Sequence, residues 1–569
     1  MGDKLYLLKR SKYSGKLRPL SQDSELWNNV DIGSIKEWVA NCRRTHKLCQ
    51  QQSEDGQAHT LTLVDVVNEC VTTEIASSAQ YLALSYVWGN ASVTKLTKKN
   101  FFRLQEFQSL SASSATIVPK TIRDAMRLTA QLGVRYLWVD CLCVAQDDPH
   151  IEDLLNRMNS IYANAYLTII VANHDNADGG IHGFEQGSGG RNLPTESIGY
   201  PHFVLGIERN LETRTEPSHN RLPWVTRGWT LQEGFFSRRA LIFDGLMSWV
   251  CATDCQMEGI DCGYAAHRLS PERYVDIRNI CASTDKSPSA VNNPMERKWS
   301  HFQQLQRAFM DRRLSYEADV MRAFAGISSY FAKSMGKPGD NDASTIIFYG
   351  HPLAFLARSL LWKSDDATLL RRNLSLRPDG LPLMPSWSWF AWQGNIQFPH
   401  RMTHSANEGV FNLDIPTKIQ LQCGHCKRTC TAEDPCCRET SRSRVWGSDR
   451  SDYHLYMSAQ RANFRIGGCR EPKQRWNVYG DGIESPDVVG QVHFDSISTQ
   501  PCGTANVQPV WFHFVGICWC LDTEGAYIRA LCVRENVDRS GVLERIGASR
   551  IRKDAWDRVQ KFESWIVLG

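Results

Sequence analysis

Between residues 81 and 172 the chain alternates three apolar runs with two amphipathic stretches, and this constrains its fold more than any other feature. Residues 81–88, 136–144 and 167–172 read as buried strands. Between them, Val118, Ile122, Ala125, Met126, Thr129 and Leu132 recur at the spacing that places them on one helical face. Pro119 suits the first turn of that helix and Gly133 its exit. A second helix is predicted over 151–165, capped by Asp148, with Ile151, Leu154, Leu155, Met158, Ile161, Tyr162 and Ala165 along one side. Strands joined through helices of this length predict a parallel sheet with right-handed crossovers. The first strand, the second strand and the third should then lie in one sheet, with the two helices covering its faces.

The rest of the chain divides by composition. Residues 1–75 form a mixed leader, 76–255 the strand and helix alternation, 256–380 a mainly helical region, and 381–569 a β-rich C-terminal domain. Residues 173–222 are polar and rich in glycine, as a long excursion would be. Residues 510–521 and 526–533 read as strands, and a last helix is expected near 553–562. A net charge of +4, from 65 basic and 61 acidic residues, gives no electrostatic footprint for nucleic acid. No apolar run is long enough to span a bilayer, and the opening residues lack the apolar core of a signal peptide. The 19 cysteines are therefore expected as reduced thiols in a cytoplasmic protein.

Three blocks place aromatic and β-branched residues beside an acid, amide or hydroxyl: YLALSYVWG at 81–89, RYLWVDCLCVAQDD at 135–148 and RGWTLQE at 227–233. The first brings Ser85, Trp88 and Gly89 to the carboxyl end of a strand, where open α/β sheets bind ligands. Gly89 suits a close backbone approach or a positive φ. Asp140 is expected to close the second strand, as an acid that bonds a ribose or as one that braces the fold. Cys141 and Cys143 are expected to serve packing. In the third block, a short helix capped by Thr226 puts Trp229 and Glu233 one turn apart on a shared face. A carboxylate beside an indole is desolvated, its pKa rises, and it becomes fit for general acid or base work. Pairing of Glu233 with Arg227 or Arg238 would serve the fold instead.

Taken together, the three blocks resemble the heterokaryon incompatibility (HET) domain of filamentous fungi, over roughly residues 76 to 245. The PSWSWFAW run at 385–392 resembles a segment often found downstream of it. The HET domain is in turn similar to Toll/interleukin-receptor (TIR) domains, whose WCxxE segment carries the catalytic glutamate of the NAD-cleaving members. Here Thr230 stands in place of that cysteine, and a long loop of about 50 residues lies just before the block. The resemblance implies a flavodoxin-like, TIR-related sheet domain. It also implies a role as effector of self/non-self recognition and programmed cell death. It makes Glu233 the catalytic residue, with Ser85, Trp88, Gly89, Asp140, Arg227 and Trp229 binding substrate. No cofactor is expected, and NAD is implied as a substrate. The alternative is an interaction module that signals by homotypic assembly, with further copies or other incompatibility proteins as partners.

Two cysteine and histidine groups have partial zinc spacing. Cys42, His46 and Cys49 supply three ligand types without a fourth. Cys423, His425, Cys426, Cys430, Cys436 and Cys437 include a C-x-x-C half-site followed by adjacent cysteines that do not readily face one ion. On these grounds neither group is expected to hold metal. The glycine-rich 183–190 run lacks the Lys-Ser/Thr of a phosphate loop.

Overall fold

The computed structural model describes residues 30–50, 60–149, 157–184, 222–257, 294–335, 347–364, 369–372, 384–398, 454–470, 475–480, 487–495, 510–522, 525–537 and 540–569, positions 77 and 246 excepted, with a few short strands and single residues besides. The chain forms two compact units, Met1–Lys286 and Ser287–Gly569.

The first unit is built on an eight-stranded sheet. In chain order its elements are α1 (Ile32–Thr45), β1 (Thr60–Asp65), β2 (Cys70–Ala76), β3 (Tyr81–Ser85), α2 (Phe101–Gln105), α3 (Lys120–Gln131), β4 (Tyr136–Trp138), α4 (Asp140–Cys143), α5 (Met158–Asn164), β5 (Leu167–Val171), α6 (Gly228–Phe236), β6 (Arg239–Phe243), β7 (Met247–Cys251) and β8 (Cys255–Met257). Spatially the strands run β8-β7-β6-β5-β3-β4-β1-β2. β3 pairs in parallel with both β4 and β5, as the alternation predicts, and β6 extends the parallel set beyond β5. The sheet as a whole is mixed, which corrects the expectation of a parallel one. The leader contributes the β1–β2 hairpin, antiparallel to β4, and β7 and β8 add antiparallel strands at the other edge.

Burial explains the apolar runs. Every residue of β3 and of β5 is buried, because layers cover both faces of the central strands. Farther out, alternate residues serve opposite faces. Leu241, Phe243, Met247, Trp249 and Cys251 join the main core, while Ala240, Ile242 and Val250 join a smaller one with Trp224. α3 begins right after Pro119 and ends into Gly133, whose φ is +76°. Its buried face includes Ile122, Ala125, Met126 and Thr129 and widens to Thr121, Asp124 and Leu128. Asp124 and Thr121 accept the backbone N–H groups of Ile181 and Gly180, which anchors the segment after β5.

The second apolar run behaves differently from its reading as one strand over 136–144. The strand stops at Trp138, and residues 140–143 make a helical turn closed by Val144 N–H to Asp140 C=O. Cys141, Leu142 and Cys143 are all buried there, and a short apolar run satisfies a buried turn as well as a buried strand. The second helix is described from Met158 to Asn164, and most of its earlier part lies outside the described residues. Within the polar excursion, Thr195–Ser197 and Phe203–Glu208 form a small antiparallel sheet with Lys4–Lys9 of the leader.

The second unit holds two long helices, α7 (Pro294–Met310) and α8 (Arg322–Met335), and a β-rich C-terminal part. Residues 258–293, expected to be partly helical, lie outside the described residues. Six strands, β9 (His454–Arg470), β10 (Arg475–Tyr479), β11 (Val488–Phe494), β12 (Val510–Asp522), β13 (Gly525–Glu535) and β14 (Val542–Arg552), pair antiparallel in the order β9-β10-β11-β14-β13-β12. β12 pairs again with β9, so the six close on themselves and leave no open edge between them. Ala462, Phe464 and Ile466 of β9, and Ile528, Ala530 and Cys532 of β13, alternate into the shared core. The last helix, α9, is shorter than expected, at Lys553–Arg558, because Phe562–Leu568 returns as strand β15. The PSWSWFAW run is buried: Trp387 and Trp389 donate their indole N–H groups to the carbonyls of Leu568 and Gly350.

Candidate functional site

Ser85 is the last residue of β3, at the carboxyl end of the parallel strands, and it is the buried middle link of a hydrogen-bonded chain. Trp224 donates its indole N–H to Ser85 Oγ at 2.6 Å, and Ser85 donates onward to Glu233 Oε2. Each link polarises the next, so the carboxylate receives a strengthened donor. Glu233 lies within α6 and is 8% exposed.

That environment sets its ionisation. Burial pushes the Glu233 carboxyl up to about 7, against the Ser85 hydrogen bond; the Asp140 charge raises it further, and the Arg227 charge and the Tyr162 hydroxyl lower it. The result is a carboxyl close to half-ionised at neutral pH, the condition that suits proton transfer. Tyr162 itself donates to the carbonyl of Leu84 at 3.2 Å, so α5 is tied to the strand that carries Ser85.

A second pair lies alongside. Trp88 donates its indole N–H to Asp140 Oδ2 at 2.7 Å, and the Cys141 N–H donates to Asp140 Oδ1 at 2.8 Å. Asp140 therefore opens the turn after β4 instead of closing a strand, and it is partly exposed. Burial of its carboxylate raises its pKa, with the Cys141 N–H, the Arg227 charge and the Trp88 N–H opposing. Lys95 sits over the Trp88 ring at 4.8 Å. Arg227, half-buried at the N-cap of α6, donates to the Tyr86 carbonyl at 3.4 Å. Its charge acts on both carboxylates.

The remaining predicted residues take other roles. Gly89 adopts φ +58°, and a Cβ there would meet the Asp175 carbonyl oxygen at 2.3 Å, so its freedom serves contact with the segment after β5. Trp229 is half-buried and packs against the main core one turn before Glu233. The indole bonded to the Ser85–Glu233 pair is that of Trp224, which sequence reasoning missed. It sits in the Pro223–Thr226 turn, and no spacing rule links that turn to a strand end some 140 residues earlier. Thr226 does not cap α6; its hydroxyl donates to the Pro223 carbonyl at 2.7 Å, and the Thr230 hydroxyl bonds the carbonyls of Trp224 and Arg227 to hold the helix start. The sequence reads Tyr162 only as part of a helix face and Tyr86 only as part of the first block, because the position of a tyrosine in an apolar run does not say where its hydroxyl bonds.

Of the Cys423 to Cys437 group only Cys430, in a short strand opposite Leu421, falls among the described residues. Cys42, His46 and Cys49 are described and have a fourth neighbour, Cys251 of β7, all four ligand atoms lying within 4.8 Å of one another. The ground for expecting no metal there, a missing fourth ligand, is thereby removed. Residues 81–233, from the first residue of β3 to Glu233, match the family model described as Heterokaryon incompatibility protein (HET). No curated protein and no solved structure matches the chain.

Proposed function

We propose, from the premise that residues 81–233 make this chain a member of the heterokaryon incompatibility (HET) family, that its HET domain cleaves the nicotinamide–ribose bond of NAD or a like nucleotide as an effector of cell death. The observation that carries this reading is the Ser85–Glu233 pair: a carboxyl poised at about 7 beside a hydroxyl. Its position adds support. The four parallel strands, numbered by their order in the chain, lie in space as 2-1-3-4, an order that flavodoxin-like sheets share. In such sheets ligands bind at the carboxyl ends where the order reverses, between the first strand and the third, and Ser85 ends the first.

In this mechanism the ionised Glu233 stabilises the oxocarbenium-like ribose as nicotinamide departs. Water then adds to the anomeric carbon and releases ADP-ribose and a proton. Arg227, with Asp140 and Trp88, orients the nucleotide at the partly exposed mouth. The test is nicotinamide release from NAD by the purified chain. Glu233→Gln should lower kcat by about 100-fold or more while the protein keeps its fold. No turnover by wild type, or turnover unchanged in Glu233→Gln, would overturn the reading.

A second reading has its own support. Ser85 and Glu233 are nearly enclosed, and their bond with Trp224 braces a strand end against a helix. On that reading the domain signals by homotypic assembly. Glu233→Gln would then change thermal stability and self-association by light scattering and leave NAD untouched.

A further inference from the structure

We infer that Cys42, His46, Cys49 and Cys251 form a structural zinc site that ties the leader to the far edge of the sheet. The residues come from two stretches of chain distant in sequence. Cys42 and His46 are four apart at the end of α1, and the His46 N–H donates to the Cys42 carbonyl at 3.1 Å, so the last helical turn presents both together. Cys49 follows in a short 3-10 turn, Lys47–Gln50, fixed by its N–H to the His46 carbonyl at 3.1 Å. Cys251 is the last residue of β7, about 200 positions later, and points with Met247 and Trp249 into the main core.

The four ligand atoms are gathered as one ion requires. All lie within 4.8 Å of one another, and Cys251 Sγ is 3.3 Å from His46 Nδ1. Zinc–sulfur bonds of about 2.3 Å at a tetrahedral angle set sulfurs roughly 3.8 Å apart, which the cluster already approaches. All three cysteines are at most 1% exposed, and His46 is partly exposed, which leaves a path for the ion. Four protein ligands without an open position describe a structural centre and not a catalytic one.

The surroundings suit the charge that the ion would bring. Three thiolates, a neutral imidazole and Zn²⁺ sum to one negative charge. The buried Arg239 guanidinium, on β6, donates to Cys42 Sγ at 3.3 Å and to the Cys49 carbonyl at 2.9 Å, which offsets that charge. The Asp254 N–H donates to Cys251 Sγ at 3.3 Å, and the Thr253 hydroxyl lies 3.8 Å from Cys49 Sγ. Such donors to sulfur orient thiolate ligands. Without an ion, three sulfhydryls enclosed beside a guanidinium have little to gain from one another. With it, the leader helix is fastened to β7, and the binding free energy becomes folding free energy of the unit.

The test is the metal content of the full chain, purified under reducing conditions with zinc present. About one zinc per chain is expected, with X-ray absorption giving three sulfurs at about 2.3 Å and one nitrogen at about 2.0 to 2.1 Å. Cys251→Ser and Cys49→Ser should each reduce the bound zinc to background. Since those variants can unfold, the Cys423→Ser/Cys426→Ser double variant supplies an independent arm and should keep its zinc with unchanged coordination. Absence of zinc in wild type would overturn the inference and leave a cluster of thiols. So would zinc lost from the Cys423/Cys426 variant, or zinc retained by folded Cys251→Ser. Metal content is read without NAD, so this outcome is separate from that of the proposed activity.

Discussion

Glu233 carries an acid whose cost depends on pH. Its carboxyl titrates near 4.5 in an unfolded chain and is pushed up to about 7 in the folded one, mainly by burial. Between these values the folded state holds a proton that the unfolded state has released. Stability from this residue is therefore greatest below about pH 4.5, declines as pH rises through the interval, and levels off above about 7. Glu233→Gln has no proton to lose. Its unfolding free energy relative to wild type should move in the variant's favour by roughly 3 kcal/mol between pH 4.5 and 7.5. Thermal unfolding of both proteins across that range checks this, and a difference independent of pH would show the carboxyl to be ordinary. If Glu233 acts as the ionised group in NAD cleavage, turnover should rise through the same interval.

At the scale of elements, the β1–β2 hairpin shows which partner of an ion pair matters. Asp65 ends β1 nearly buried, and it accepts the N–H groups of Val67 and Asn68, both at 3.0 Å, in the turn to β2. It also accepts two bonds from Arg135, at 3.0 and 2.8 Å, just ahead of β4. The Arg135 side chain is 53% exposed and Asp65's only 4%. Removing Arg135 gives up a screened, half-solvated interaction, so Arg135→Ala should cost clearly less than Asp65→Ala. Asp65→Ala strips the turn of its acceptor and should cost about 1 to 3 kcal/mol. Equal losses in chemical denaturation of the two variants would contradict this division. The hairpin is where the leader joins the sheet, so its turn chemistry decides whether β4 gains an antiparallel neighbour.

At the scale of whole units, the second one encloses a charge pair within its β-rich part. Arg545 and Asp495 meet at 2.6 Å with both side chains fully buried. The guanidinium also stacks on the Trp362 ring at 3.4 Å and donates to that residue's carbonyl. Even so paired, burial pushes Asp495 up to about 6. Removing one partner strands the other, so Arg545→Met should cost about 3 to 5 kcal/mol. Arg545→Met/Asp495→Leu should recover most of that loss, since apolar side chains of similar volume need no solvation. Failure of the double variant to recover in thermal unfolding would mean that the pair's remaining hydrogen bonds dominate. The Ser386 hydroxyl, which accepts the Arg545 N–H at 3.0 Å and donates to the Gly569 carbonyl at 2.6 Å, links this pair to the PSWSWFAW run and the chain end.

Local pattern by itself determined where three of the parallel strands, β3, β4 and β5, begin, the α3 face and the three blocks that hold Ser85, Asp140 and Glu233. Each of these follows from what a short segment must bury, and spacing along the chain records that directly. Tertiary structure alone decided three things. It put Trp224 and not Trp229 on the Ser85–Glu233 pair, it brought Cys251 to Cys42 and His46, and it turned the second apolar run into a strand and a helical turn. The partners in these cases lie 139 residues apart for Trp224 and Ser85, and 205 for Cys251 and His46. Spacing carries no information over such distances, because it is the path of the whole chain through the sheet that sets which side chains meet. The mixed sheet has the same origin: residues 1–75 read only as a mixed leader, and it is the free edge of β4 that takes up the leader's hairpin as part of the domain.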